Sequence, residues 1–439
     1  MNKIIFLGFT LLFTSFSIQA EDLAQIFDLA KKNDPTYGAA VAKYQADIQA
    51  SPKAWAGVKP QISLNGQYSE IDEKSTVTFN NVPINRNQSY NSNFYSLSLT
   101  QTIYNKAQFD AIAQAGALVA QAEAVYGNAR YDLILRVAQS YFDVLSESAS
   151  LVFAKAEKKA IAQQLDQAKQ RFKVGLTAIT DVLEAQARYD QSVSSEIEAQ
   201  RLFDLSHESL REITGQAHSE LSNVKKDHKL VSPDPLNIEA WVKMALEQNL
   251  LLHSAEQAVN AARKGKDLAN AGHYPTLDLN ASYNDSETDG GTFPTSRDGT
   301  TLALRLNIPI YSGGGTNAAS REASALYQQS KQLYEQQRRA TVRLTRNSYL
   351  TVLSAISQVK ALKQALRSTQ SALEATVAGF EVGTRTAVDV LNSQQEMYLA
   401  QRNYIRARHA YIVNTLQLKQ AAGTLIDEDM TLINAWLES

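Results

Sequence analysis

Two fifteen-residue stretches hold the side chains with the most chemical potential in this sequence. Residues 172–186 read FKVGLTAITDVLEAQ and residues 380–394 read FEVGTRTAVDVLNSQ, so Asp181 and Asp389 share one motif position at an offset of 208. Arg385 stands where the first copy has Thr177. A carboxylate there can offset the positive end of a helix dipole, and a lone arginine reads as a solvated cation. Neither makes or breaks bonds. The six histidines, at 207, 218, 228, 253, 273 and 409, show no i, i+4 pair or metal spacing, and the chain has no cysteine. They read as surface or packing residues. Gly313-Gly314-Gly315 lies between a strand pattern and a helix pattern, but no Lys-Ser or Lys-Thr follows, so it reads as a turn rather than a phosphate cradle. With no nucleophile–base set, paired carboxylate site or metal cluster standing out, the expectation is a protein that is not an enzyme and uses no cofactor or metal.

Composition narrows the classes further. The 439 residues carry 43 Lys and Arg against 45 Asp and Glu, a net charge of −2, which gives no electrostatic case for a nucleic-acid partner. Residues 1–20 combine Lys3, an apolar run from Ile4 to Phe16 and a terminal Ala20, the pattern of a secretory signal peptide. Beyond them no apolar run approaches the roughly 18 residues of a transmembrane helix. Hydropathy alone would call such a chain soluble, and a membrane β-barrel gives the same result.

The elements that must position the repeated motif are themselves repeated. Pro60-Gln-Ile-Ser-Leu-Asn-Gly-Gln-Tyr68 recurs as Pro275-Thr-Leu-Asp-Leu-Asn-Ala-Ser-Tyr283, and Leu97, Leu99, Ile103 and Tyr104 recur as Leu304, Leu306, Ile310 and Tyr311. The mature chain is two copies of one unit. No proline falls between 84 and 232 or after 309. Since an interior proline costs a helix about 3 kcal/mol, these tracts predict long helices. Leu118, Ala122, Val125, Ala129, Leu133, Val137, Tyr141 and Val144 draw one apolar stripe along the first of them.

Before each tract the period changes to two. Ile62, Leu64, Gly66 and Tyr68 alternate with Ser63, Asn65 and Gln67, and the same pattern marks 95–100, 276–283 and 302–307. The expected organisation is a short helix over 21–60, a strand pair over 61–103 with a polar loop at 70–91, and long helices over 104–220 turning near 172–181. A linker at 221–237 follows. The second copy has a helix over 238–274, a strand pair over 275–311 with a loop at 285–298, long helices over 312–424 turning near 380–389, and a terminal segment 425–439. Tyr68, Phe94, Tyr95, Tyr274, Tyr283 and Tyr311 are candidates for interfacial aromatic girdles.

The fold class expected is mainly α with a membrane β-barrel contribution. Four half-apolar strands cannot close a barrel, because single-chain membrane barrels start at eight, and an open edge in lipid is prohibitive. A head-to-tail ring of two or three chains, with eight or twelve strands, resolves this. The rival reading is a soluble periplasmic coiled-coil adaptor, which explains the helices and the leader but not the strands.

The leader, the duplicated strand pair with long helices, Ile308-Pro-Ile-Tyr-Ser-Gly-Gly314 at a strand-to-helix junction, Gly383-Thr-Arg-Thr-Ala-Val-Asp-Val-Leu391 and its counterpart Gly175-Leu-Thr-Ala-Ile-Thr-Asp-Val182 together closely resemble the outer membrane efflux protein family. The resemblance covers essentially the whole mature chain. It implies a homotrimer in the outer membrane of a Gram-negative cell, with a twelve-stranded barrel among outer membrane lipid continued by a long periplasmic α-helical barrel. The implied function is a passive exit duct for drug efflux or type I protein secretion, with a periplasmic adaptor and an inner membrane pump or type I ABC transporter as partners. The turns at Gly175 and Gly383 would form the periplasmic entrance, and the hairpin loops would be extracellular. There Arg385 is expected to bridge to Thr180 and Asp181 of the neighbouring subunit, its planar fork engaging hydroxyl and carboxylate together, with Gln167 and Gln170 completing the constriction. Asp389 would form a ring of three carboxylates that raise one another's pKa. Asn392 replaces a second family Asp, leaving three formal charges instead of six, and Phe380 replaces a Tyr, removing a hydroxyl.

Overall fold

The computed structural model describes residues 20–225, 228–291 and 293–438. Apart from Ala20, the segment read as a signal peptide lies outside the described residues. The chain forms two compact units, one of residues 39–128 and 248–342, the other of residues up to 38, 129–247 and from 343 on.

The first of these units contains every named strand: β1 (Gln61–Phe79), β2 (Val82–Asn105), β3 (Thr276–Gly290) and β4 (Thr295–Asn307). They form one antiparallel sheet in the order β1-β2-β3-β4, so β1 and β4 are its edges. Period-two alternation sorts the two faces as expected. Ile62, Leu64, Tyr68, Leu97, Leu302, Leu304 and Leu306 are exposed on one side. On the other side hydroxyls and amides link neighbouring strands: Ser63 Oγ lies 2.7 Å from Ser98 Oγ, Ser96 Oγ donates to Asn284 Oδ1 at 2.7 Å, and Thr100 Oγ1 donates to Asn280 Oδ1 at 3.2 Å. Phe94 pairs with Gln67 on this polar side, so it does not join Tyr68, Tyr95 and Tyr283 in an outward girdle.

Two segments expected as loops are strand instead. Residues 70–79 and 82–91 continue the β1/β2 ladder to Phe79↔Val82, and residues 285–288 and 295–298 continue the β3/β4 ladder to Thr288↔Thr295. Their composition resembled a loop because polar residues stand on both faces there. The actual reversals are short: Asn80 and Asn81 both have positive φ, 49° and 59°, the primed two-residue turn that suits strand twist. At the second reversal a Cβ on Gly290 would sit 3.1 Å from the Ser89 carbonyl, which is why glycine stands there.

The expected single helix over 21–60 is divided into α1 (Leu23–Asn33), α2 (Pro35–Asp47) and α3 (Ala50–Ala56), and that over 238–274 into α6 (Ile238–Gln248) and α7 (Leu250–Asn270). The breaks have local causes. Pro35 disfavours helix at Asp34, whose carboxylate accepts from Thr36 N and Tyr37 N at 3.2 Å each. Asn249 caps α7 by accepting from Leu252 N at 3.0 Å. The long tracts are α4 (Lys106–Lys173), α5 (Ile179–Thr214), α8 (Gly315–Glu381) and α9 (Ala387–Ala422), followed by α10 (Glu428–Asn434). At about 1.5 Å per residue α4 is roughly 100 Å long. Its apolar stripe is buried from Leu133 through Val144, whereas Leu118 and Val125 remain exposed in the single chain. None of the described helices is long and apolar enough to cross a membrane.

The second unit has a core with buried charge and polar links. Leu133, Ile134, Val137, Tyr141, Phe142, Leu210, Ile412, Leu416, Leu425 and Met430 are fully buried or nearly so. Arg136 bonds the buried Asp34. Burial pushes that carboxyl up, but Arg136 and the N–H groups of Thr36 and Tyr37 outweigh it and hold it below the ordinary value. Tyr141 OH donates to the Ser222 carbonyl at 2.8 Å, tying the linker to α4. His409 on α9 is buried, its Nδ1 2.7 Å from Ser146 Oγ on α4. Burial, aided by the Arg408 charge, lowers its imidazole to about 3.

The His409 shift makes a stability statement. Between pH 6.5 and about 3 the unfolded chain takes up a proton that the folded site refuses, so stability falls as pH drops through that window. At pH 5 the loss is on the order of 2 kcal/mol. A His409→Gln variant should therefore show a smaller drop in denaturant midpoint between pH 7.5 and pH 5 than the parent protein. Equal drops would remove His409 as the cause.

Candidate functional site

The two motif copies fold into the same helix ending. At the end of α4, Leu176 N–H donates to the Arg171 carbonyl at 2.9 Å and Gly175 N–H to Phe172 at 3.0 Å. At the end of α8, Thr384 N–H donates to Gly379 at 2.8 Å and Gly383 N–H to Phe380 at 3.1 Å. This is the Schellman pattern, and it needs a left-handed residue at its second-to-last position. Gly175 and Gly383 supply it with φ of 75° and 81°. Beneath the turns, Ile161, Leu165, Ala168, Ala185 and Leu391 form one buried cluster, with Val182 and Tyr189 packed on it. Leu391 brings the second copy into a core otherwise built by the first.

The helix starts that follow differ, and the difference decides which polar groups stay free. Thr386 caps α9: its hydroxyl accepts from Asp389 N at 3.2 Å, and Asp389 Oδ2 accepts from Thr386 N at 2.9 Å, a reciprocal capping box. Hydrogen bonds from the Thr386 backbone and side chain, with the Arg385 charge, hold the Asp389 carboxyl below its ordinary value. Within one chain Asp389 is thus a helix-capping residue, and its shift runs opposite to that expected for a ring of mutually repelling carboxylates. In the first copy the cap position is Ala178, which offers no side-chain acceptor. Asp181 instead receives a hydrogen bond from the Thr177 hydroxyl.

Arg385, the counterpart of Thr177, is exposed and makes no side-chain hydrogen bond or ion pair within the chain among the described residues. Its aliphatic stem passes over Gly379, where a Cβ would lie 2.7 Å from Arg385 Cγ. The structure does not bring Arg385 to Thr180 or Asp181 of its own chain. Thr180 and Gln167 are exposed, and Asp181 is half-buried. Gln170 Nε2 donates to Asp166 Oδ2 at 2.7 Å, one turn back on its own helix.

Two arginines that sequence reasoning passed over link the elements of the tip. The Arg171 guanidinium lies 4.6 Å from the centre of the Phe380 ring, joining the ends of α4 and α8 through a cation–π contact. Arg188 on α5 donates to Asn392 Oδ1 at 2.9 Å and to Gln395 Oε1 at 3.3 Å on α9. Thus Asn392 and Phe380, read as lost charge and lost hydroxyl, each hold an arginine. Their repeat counterparts are telling: Arg171 aligns with Gly379 and Arg188 with Glu396. The signal lay in the mismatches between copies.

The capping difference gives a direct test. Thr386→Ala should cost about 1 kcal/mol of local stability, raising hydrogen exchange in the first turn of α9 about fivefold while leaving α5 unchanged. It should also let Asp389 titrate at a higher pH. Unchanged exchange and titration would show that the capping box holds neither.

The family model for outer membrane efflux proteins matches residues 26–216 and 241–424, one stretch on each copy of the repeat. The chain is 36% identical over 432 residues to outer membrane protein TolC of Vibrio cholerae, covering 97% of this chain and 95% of that one. It is 27% identical over 449 residues to the proteases secretion protein PrtF of Dickeya chrysanthemi, covering 100% of this chain and 96% of that protein. Among solved structures, the outer membrane protein VceC of Vibrio cholerae shares the fold with a TM-score of 0.77 at 18% identity, covering 91% of this chain and 96% of VceC.

Proposed function

The chain belongs to the outer membrane efflux protein family, and from that membership we propose that three copies form an outer membrane duct. The duct exports solutes or proteins delivered by partners in the periplasm and inner membrane. The observation that carries this reading is the open sheet. It exposes a band of Ile62, Leu64, Leu97, Leu302, Leu304 and Leu306 suited to lipid, while β1 and β4 lack partners on their outer sides. In hydrocarbon each unpaired N–H or C=O costs several kcal/mol. Three chains give twelve strands and no edge, with the Ser/Thr/Asn face turned to a wet interior. A soluble coiled-coil adaptor has no use for such a band.

The helix turns then serve as the periplasmic entrance. Arg385, without a side-chain hydrogen bond or ion pair among the described residues of its own chain, reaches Thr180 and Asp181 of the neighbouring subunit, and Gln167 and Gln170 narrow the opening. Asp181 retains acceptor capacity beyond the Thr177 hydroxyl, so it can take a guanidinium without breaking a cap. Each solvated link is worth up to about 1 kcal/mol, and threefold symmetry repeats it. A few kcal/mol keeps an entrance mostly closed yet lets a docking partner open it. The partners of this reading are a periplasmic adaptor and an inner membrane efflux pump or type I secretion ABC transporter. The family's description as efflux proteins and the relative named for protease secretion support both cargo types. The duct performs no covalent step, and its energy comes from the pump.

Detergent-solubilised protein should have the mass of three chains and fractionate with the outer membrane. A single-chain mass in the soluble periplasmic fraction would end the proposal. In planar bilayers, Arg385→Ala should raise single-channel conductance severalfold, whereas Arg188→Ala, whose partners are in its own chain, should raise it less. Equal conductance in the parent and Arg385→Ala would remove the latch.

A further inference from the structure

The β1/β2 hairpin runs on after β3 leaves it. The last β2–β3 rung is Tyr90↔Gly290, yet β1 and β2 stay paired for eight more rungs, from Asp72↔Ser89 to Phe79↔Val82. At about 3.4 Å per residue the free ribbon is roughly 27 Å long. At its tip the apolar residues stand on the face opposite the apolar band of the sheet. The face that continues the apolar band carries Glu70, Asp72, Lys74, Thr76 and Thr78, paired with Asn91, Ser89, Asn87, Asn85 and Pro83. The face that continues the Ser63/Ser98 polar side carries Glu73↔Gln88 and Ser75↔Arg86 first, and then, over the last rungs, the apolar pairs Val77↔Ile84 and Phe79↔Val82. At the tip Val77, Phe79, Val82 and Ile84 are all exposed.

A two-stranded ribbon is marginally stable in water on its own, so this tip needs something to pack against. Lipid does not fit, because the ribbon's apolar residues lie on the side opposite the lipid band. We propose that the occupant is the same tip of the other two copies, and that the three hairpins meet over the outer mouth as an apolar lid. The inference rests on the trimeric duct reading. In that assembly the polar face lines the interior, so Val77, Phe79, Val82 and Ile84 point toward the threefold axis. Twelve strands spaced about 4.8 Å and tilted about 40° give a ring of radius about 12 Å. A ribbon of roughly 27 Å is long enough to bend across that distance. The nearest apolar surfaces that each tip meets are the two symmetry-related tips. The lid makes the outer mouth narrower than the barrel below, and it excludes large solutes arriving from outside.

The chain has no native cysteine, so one introduced thiol reports one position. In reconstituted protein of verified trimeric mass, a short bis-maleimide should join Phe79→Cys into two-chain products. Thr78→Cys, one residue away on the opposite face, should yield at most a tenth as much. The combined Val77→Asn, Phe79→Asn, Val82→Asn and Ile84→Asn variant should admit larger polyethylene glycols from the outer side. Equal cross-linking at 78 and 79, no cross-linking at 79, or an unchanged polymer cut-off in a protein of three-chain mass would overturn the lid while leaving the duct standing. Cross-linking of Phe79→Cys on intact cells to a different protein would also overturn it. A one-chain mass would instead overturn the trimer on which both rest.

Discussion

An unpaired peptide group in hydrocarbon costs more than almost any side-chain contact returns, and the rest of this molecule follows from that penalty. The four-stranded sheet satisfies its interior ladder through three antiparallel pairings, yet β1 and β4 each keep one open side. No further strand among the described residues covers them. In the proposed duct closure comes from other copies, and a closed ring would impose a symmetry axis on everything that follows β2 and β4. The exposed Leu118 and Val125 on α4 belong to the same logic. They continue a stripe that is buried further along the helix, and in the proposed ring they would face a neighbouring copy.

Duplication supplies matching pieces, and the copies diverge where a function needs asymmetry. Both turns retain the glycine that ends a helix in a left-handed residue. Beyond it, the pair Thr177-Ala178 faces the pair Arg385-Thr386. In the second copy the cap threonine occupies Asp389 and leaves Arg385 free; in the first, an alanine at the cap leaves Asp181 bonded only by the neighbouring hydroxyl. A free cation and an under-occupied carboxylate thus arise from the same two substitutions. The structure does not bring them together within one chain, and the proposed ring would present each to its neighbour.

Legibility in the sequence followed the strength of the local signal. The absence of proline and the placement of glycine located the ends of α4, α5, α8 and α9 within three residues, apart from an α5 end at Thr214 that the reading ran on past. The strand register was legible while one face was apolar. It was lost beyond Tyr68 because a ribbon with polar residues on both faces has the composition of a loop, although the Asn80-Asn81 turn and the displaced Ile71, Val77 and Phe79 were there to be read. Asp34-Pro35 and Asn249 were overlooked as helix boundaries because each sits inside a pattern that stays helical on both sides. At the candidate entrance, Gly175, Gly383, Asp181 and Asp389 were legible from the repeat. The contacts of Arg171 and Arg188 depend on how α4, α5, α8 and α9 pack, which no local pattern encodes.

The distribution of interaction strength along the helical unit matches the division of labour expected of a gated duct. Near its core, buried carboxylates are paired with partly exposed cations, as in Asp34 with Arg136 and Asp429 with Lys419, and leaving such a carboxylate unpaired is costly. At the helix turns the links are an exposed cation–π contact, an exposed arginine–amide pair and helix caps, each worth about 1 kcal/mol or less. Local opening draws on the weakest contacts first. The turns can therefore change partners while the core pairs and the His409–Ser146 link hold α4 and α9 in register. That gradient, more than any single tip residue, lets an entrance open without unfolding the body that carries it.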